Sequence, residues 1–241
     1  MEIKKHSIDD FRAMKHFEGN NLYWKESDKK IDFVFRKTKK FIQNITACCD
    51  IGIGNGYTVK FFYKKGVRTT GVDISPYLIE YFQKVVTSEK MAIELIETDI
   101  TKSTFGEEKY DLVTCFDVFE HLTDEGLNSA IKNIATSLKS GGLLLGTVPL
   151  FEKLNDAKVI CPDCGHKFHP NGHHQSFQNF DEIKNMLNSE FEVIKFGEVP
   201  VVFTKIFLFY GIGNYIFKLA RRIILNKILS TAYFLAKVKI S

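Results

Sequence analysis

Asp50-Ile51-Gly52-Ile53-Gly54-Asn55-Gly56 closes the apolar run 46–51 and opens a helical pattern over 56–65. Glycines at a strand-to-helix junction let the backbone take positive φ and approach a ligand closely, in the crevice beyond the strand's carboxyl end. The spacing is G-x-G-x-G. It lacks the G-x-G-x-x-G that seats a pyrophosphate on a helix N-terminus, and Asp50 would set its charge against a diphosphate. Twenty-one residues after Gly52, Asp73 ends a second apolar run in Gly71-Val72-Asp73-Ile74-Ser75, placed to accept both hydroxyls of a ribose. Asp99, in Glu97-Thr98-Asp99-Ile100 after a third run, could accept from an exocyclic adenine amine. Together these describe an adenosine with a cationic extension, and S-adenosylmethionine (SAM) fits.

Outward from this loop, short apolar runs alternate with helical periodicity from Glu26 to about Pro149. Residues 26–43 read as an amphipathic helix. Strands are expected at 46–51, 67–73, 91–97, 110–116 and 143–148, the last after the Gly141-Gly142 turn. Helices are expected at 56–65, 75–89 and 123–138, with Ser75 as N-cap and Pro76 at the first helical position. Five strands alternating with helices imply a parallel sheet covered on both faces. Further on, a helix around 180–187 and a strand at 191–198 close the body. The 241 residues, 44% hydrophobic and 26% charged, exclude a disordered or collagen-like chain and suit one domain with an appendage. Five cysteines, two of them adjacent at Cys48 and Cys49, do not make a secreted disulfide framework. The first ten residues carry no apolar h-region, so the expected location is cytoplasmic.

The motifs D-I-G-x-G-N-G, G-V-D-I-S, T-D-I, Y-D-L-V-T-C-F-D-V-F-E-H-L and L-K-S-G-G-L-L-L-G-T-V-P, in this order from Cys48 to Pro149, resemble those of class I SAM-dependent methyltransferases. Turn and cap duty would explain each motif singly but not the series. The resemblance implies a Rossmann-like seven-stranded α/β sheet with an antiparallel last strand and methyl transfer from the sulfonium. It also implies cofactor contacts at Asp50, Gly52, Gly54, Asp73, Asp99 and Phe116. Gly56, Ile74 and Ile100 belong to the same expected cofactor site.

Asp117, Glu120 and His121 follow the fourth strand, where cofactor and acceptor meet in such a fold. No Asn/Asp-Pro-Pro-Tyr element stands there, which favours a hydroxyl or carbon acceptor over adenine or glutamine amines. Methyl transfer is an in-line displacement, so the protein aligns the nucleophile and removes its proton. His121 is the candidate base. The three side chains could instead hold a divalent ion, an arrangement that resembles the E-x-x-E-H of metal-assisted quinone and RNA-ribose methyltransferases with Asp117 in place of the first Glu. A third reading gives Glu120 and His121 only loop-orienting and capping duty.

Cys161-Pro-Asp-Cys164-Gly-His166-Lys-Phe-His169-Pro-Asn-Gly-His173 has the C-x2-C-x4-H-x3-H spacing of a tetrahedral structural zinc site, with His166 or His174 as alternative ligands. Several bacterial methyltransferases resemble the chain here with C-P-x-C-G-x-x-F-H-x-x-G-H, and that likeness selects His169 and His173. From Val201 to Ser241 there are seven basic residues and no acidic one; with +4 in total, this leaves −3 for the body. Residues 206–217 are uncharged but too few to span a bilayer, and the next segment projects as a basic amphipathic helix. The expectation is peripheral attachment to the anionic inner face of a membrane; packing on the body or in a homodimer is the alternative. The expected organisation is a helical cap (1–45), a SAM-binding methyltransferase core (46–150), a zinc-knuckle insertion (151–177), the end of the core (178–200) and a basic amphipathic tail (201–241). The expected acceptor is a small molecule, a glycan or a lipid-linked precursor. Nucleic acid is disfavoured by the acidic body, RNA methylation or a non-catalytic SAM-binding scaffold being the alternatives.

Overall fold

The computed structural model describes residues 21–160, 165–199 and 230–239. Strand β1 (Ala47–Ile51) is buried along its whole length, as a strand covered on both faces must be. It pairs in parallel with β2 (Arg68–Asp73) on one side and β4 (Tyr110–Phe116) on the other. Strands β3 (Ile93–Glu97) and β5 (Leu138–Pro149) flank these, and β9 (Thr231–Val238) and β8 (Phe191–Val199) complete the order β3-β2-β1-β4-β5-β9-β8. The winding reverses between β1 and β4, the point in an open α/β sheet where a crevice forms beyond the strand ends.

The helices obey local rules. Helix α3 (Pro76–Ser88) has Pro76 in its first turn and the Ser75 hydroxyl accepting from the Leu78 amide at 3.4 Å. In α4 (Asp124–Ser137), Thr123 accepts from the Gly126 amide at 3.2 Å. Asn179 caps α5 (Phe180–Leu187) in the same way. Helix α1 (Asn21–Ile42) presents Val34 and Phe35 to one face of the sheet, where they meet Phe62 of α2 (Tyr57–Tyr63), Leu112 and Leu235. The other face carries Ile131 and Ile134 of α4 with Phe119 and Phe234. Fully burying each such side chain contributes about 1.5–3 kcal/mol.

Two expectations are corrected. Residues 201–241 do not form one continuous tail: Thr231–Val238 is β9, antiparallel to both β5 and β8 and wedged between them. Ala232, Phe234 and Ala236 face one core cluster while Tyr233 and Leu235 face the other. This is the period-two burial of a central strand, not an interfacial helix. Lys239 reaches the Asn188 backbone carbonyl, so it too belongs to the body. The second correction concerns β5, which starts directly from α4 at Leu138 rather than after the glycine pair; Gly141, at φ +75°, lies inside it. Two short strands, β6 (Val159–Ile160) and β7 (Lys167–Phe168), pair antiparallel and bracket the segment holding Cys161 and Cys164. Both cysteines, like residues 200–229, lie outside the described residues.

Candidate functional site

A cleft of about 220 Å³ opens at the carboxyl ends of β1, β2 and β4, lined by Asp50, Gly52, Gly54, Asp73, Phe116 and Asp117 among others. Gly52 and Gly54 hold φ of +72° and +47°, a region other residues enter only at a cost of about 1–2 kcal/mol. Gly52 is pinned by its amide, which donates to the Val72 carbonyl at 2.8 Å. Gly56 does not line the cleft. At φ +75°, its missing Cβ would stand 1.9 Å from the Phe82 ring, so the close packing of α3 by itself requires a glycine here.

Asp50 is buried and accepts from the Thr114 hydroxyl at 2.6 Å. Burial pushes its carboxyl up to about 8, with the neighbouring Asp73 charge acting in the same direction and Thr114 opposing. Asp73 accepts from the Ser75 amide at 2.9 Å and is raised to about 6, again chiefly by burial. Two carboxylates held above their ordinary range beside a cleft favour a ligand that brings hydroxyl donors and positive charge. A SAM molecule offers both, so the residues present fit it: Asp73 would accept from the ribose and the Gly52–Gly54 turn would allow close approach. When bound, SAM supplies an electrophilic methyl on a sulfonium.

The remaining expected cofactor residues do not line this cleft. Ile74 is 63% exposed, and Ile100 is buried in the core. Asp99 accepts from the Thr101 amide and hydroxyl at 3.0 and 2.7 Å and pairs with Lys102 at 3.0 Å. Partial burial opposes its ionisation, but these donors hold its carboxyl below the ordinary value.

Sequence reading missed the contribution of α1, which lies over the cleft. Ser27 and Ile31 line it. Lys30 pairs with Asp117, the Asn55 side-chain amide donates to Asp28 at 3.0 Å, and the Tyr57 hydroxyl donates to Asp32 at 2.5 Å. No local pattern marks these residues, because each partner is at least 25 positions away along the chain.

Asp117, Glu120 and His121 divide between two environments. Asp117 faces the cleft at φ +54° and accepts from the Thr147 hydroxyl at 2.7 Å. Burial works against its ionisation, yet Lys30 and Thr147 keep its carboxyl below the usual range. Glu120 does not line the cleft. It is 2% exposed in the turn Phe119–His121, and its Oε2 has no hydrogen-bond partner among the described residues. Burial, reinforced by the Asp117 charge, pushes it well above the ordinary carboxylate range. His121 is exposed and meets His173 edge-on at 4.9 Å between ring centres.

Of the expected zinc ligands, only His169 and His173 fall among the described residues. Their rings stack at 4.7 Å, and Glu152 reaches both, 3.3 Å from His169 Nε2 and 2.6 Å from His173 Nδ1. His166 and His174 are exposed and join neither cluster of metal-capable side chains among the described residues, which are Glu152-His169-His173 and Glu120-His121-His173.

Residues 48–142 match the family model of a methyltransferase domain. The chain is 33% identical over 95 residues to the ubiquinone biosynthesis O-methyltransferase of Coxiella burnetii (strain Dugway 5J108-111), a match covering 39% of this chain and 40% of that one. It is 29% identical over 154 residues to the protein of that name in Hydrogenovibrio crunogenus, covering 58% of this chain and 61% of the relative. The chain thus spans less than two thirds of either relative. Among solved structures, Burkholderia thailandensis 1,6-didemethyltoxoflavin-N1-methyltransferase, with bound 1,6-didemethyltoxoflavin and S-adenosylhomocysteine, superposes with TM-score 0.67 at 14% identity, over 97% of this chain and 87% of that one. A SAM-dependent methyltransferase from Clostridium acetobutylicum superposes with TM-score 0.64 at 15% identity, over 95% and 99%. Sheet order, glycine turn, acidic cleft and matched segment converge: residues 48–142 match a methyltransferase domain, set in the same fold as the methyltransferase structures on which the chain superposes.

Proposed function

We propose that the protein methylates a hydroxyl oxygen of a small-molecule acceptor. The observation that supports this is the cleft, in which Asp50 and Asp73 flank the left-handed glycine turn and Asp117, tied to Lys30, lines the wall next to Phe116. The relatives named O-methyltransferases support oxygen as the nucleophile. In the reaction the acceptor's O–H bond breaks and its proton passes to His121. An oxygen lone pair forms the new O–CH3 bond as the C–S bond breaks, and that pair of electrons remains on sulfur, giving S-adenosylhomocysteine. Asp117 orients the acceptor hydroxyl. His121 does not line the cleft in this structure, so it takes the proton at the acceptor's outer edge.

We extend the proposal to a membrane-facing acceptor because residues 201–229 retain five basic residues, no acidic one and six aromatic residues (Phe203, Phe207, Phe209, Tyr210, Tyr215 and Phe217). None of these lies among the described residues. Incubation with methyl-labelled SAM and fractionated small-molecule and lipid extracts tests the reading. It requires label in an alkali-stable ether; label in amine or RNA products would replace the hydroxyl acceptor.

A further inference from the structure

The two clusters of ligand-type side chains outside the cofactor cleft share His173, and they join three separate segments of chain. Glu152 follows β5. His169 and His173 come from the insertion after β7, and Glu120 and His121 from the turn after β4. Donor atoms within each trio lie within 4.8 Å of one another. Ligand bonds of about 2.0–2.2 Å to nitrogen and oxygen place neighbouring donors roughly 3–4 Å apart, and the Glu152 contacts fall near that range.

A second observation is independent of this clustering. Glu120 carries a carboxylate oxygen that is shut away from water and has no hydrogen-bond partner among the described residues, within reach of donors on His121 and His173. A buried carboxylate oxygen without a hydrogen-bond partner among the described residues, within reach of imidazole nitrogens, is a position that a bound cation would complete.

The backbone holds the segments in place. Amides of His174 and Gln175 donate to the Glu120 carbonyl at 2.6 and 3.0 Å, the Ser176 hydroxyl donates to the Glu152 carbonyl at 2.5 Å, and the Phe151 amide to the Phe177 carbonyl at 2.9 Å. The ligands are thus brought together by hydrogen bonds among the described residues.

We infer that Glu152, His169 and His173 bind a divalent transition-metal ion in an imidazole and carboxylate centre, with Glu120 as the supporting carboxylate against the β4 turn. This reassigns the two histidines that the C-x2-C-x4-H-x3-H spacing gave to a zinc shared with Cys161 and Cys164. Imidazole and carboxylate donors suit zinc, cobalt, iron and manganese over magnesium. Three protein ligands leave open positions, which a closed structural site does not. Whether those positions receive the acceptor's oxygen rests on the proposed methyltransferase reaction; metal binding itself does not.

The test titrates Co2+ alone into chelator-stripped full-length protein, following the visible and near-ultraviolet spectrum, with metal content by elemental analysis. The expected result is one Co2+ per chain without thiolate-to-cobalt charge transfer, retained in the Cys161→Ser/Cys164→Ser double variant. Glu152→Gln and Glu120→Gln should each weaken binding about tenfold or more, and His173→Ala should abolish it. Circular dichroism and S-adenosylhomocysteine binding, both unchanged in the Gln variants, show that these variants fold. A charge-transfer band that vanishes with the cysteines, wild-type affinity in Glu152→Gln, or no binding at all would overturn the inference. Cobalt binding without S-adenosylhomocysteine binding would preserve the centre and refute the methyltransferase reading; the converse would do the opposite.

Discussion

Gly56→Ala separates two duties that glycines in one loop can have. The backbone at Gly56 sits at φ +75°, and a Cβ there would stand 1.9 Å from Cε2 and 2.3 Å from Cζ of Phe82, a ring that is itself buried. Left-handed backbone costs a non-glycine residue about 1–2 kcal/mol. Forcing a methyl into a packed core costs about 1–3 kcal/mol more, for a total of about 2–5 kcal/mol. Gly66 is an internal control, because its φ is +77° but its Cβ would meet nothing within 4 Å; Gly66→Ala should lose only the backbone part. At roughly 2–4 °C per kcal/mol for a chain of this size, Gly56→Ala should melt about 4–20 °C lower. Phe82→Leu in the same chain should recover part of that loss, a coupling of at least about 0.5 kcal/mol. Gly56 does not line the cleft, so cofactor affinity measured well below the melting temperature should stay within about twofold of wild type. Equal destabilisation by Gly56→Ala and Gly66→Ala would refute the packing argument. A normal melt with lost affinity would return Gly56 to the ligand's cradle.

Asp50 and Asp73 hold their protons more tightly in the fold than their ordinary 3.8, so the folded chain binds more protons and ligand-free stability should fall as pH rises from about 4 to about 8. Asp50→Asn should flatten that slope and raise the ligand-free melting temperature at pH 8 while weakening SAM binding; an unchanged slope contradicts it. Truncation at residue 200 should unfold the protein, because it removes β9. By contrast, replacing residues 201–229 with a hairpin-length linker of about 2–5 residues should preserve the fold, since Val199 already pairs with Thr231. If the linker variant still floats with anionic vesicles as well as full-length protein does, the membrane proposal fails. Lys30→Met should raise the Asp117 pKa and shift the acid limb of the pH–rate profile upward, with SAM affinity little changed; an unmoved profile would take Asp117 out of the acceptor site.

What could be read from the sequence was local. Ser75-Pro76 announces a helix start within two residues, and the glycine turn with Asp73 at the next strand tip fixes a cleft through spacing alone. Asp117 was legible because it follows a strand directly. Lys30 and Glu152 were not, because what gives them meaning is a partner 87 or 21 positions away; the helical pattern around Lys30 marks it only as one lysine among several on a polar face. Strand β9 was hidden for another reason: its flanking lysines and aromatic residues add to a charge count that describes a tail. Only the antiparallel register with β5 and β8 shows Phe234 fully buried. Gly56 shows the limit of motif reading, since three glycines of one motif divide into two that line a cleft and one that admits a phenylalanine.

Calorimetric titration of purified full-length protein with S-adenosylhomocysteine tests the central claim most directly, with Gly54→Val and Asp73→Ala as the paired variants. The expected result is one site per chain in wild type. Binding should be lost in both variants while their circular dichroism remains that of the folded protein, because valine at φ +47° fills the turn and alanine removes the ribose acceptor. Folded wild-type protein that takes up no S-adenosylhomocysteine, or variants that bind it as wild type does, would contradict the assignment of this cleft.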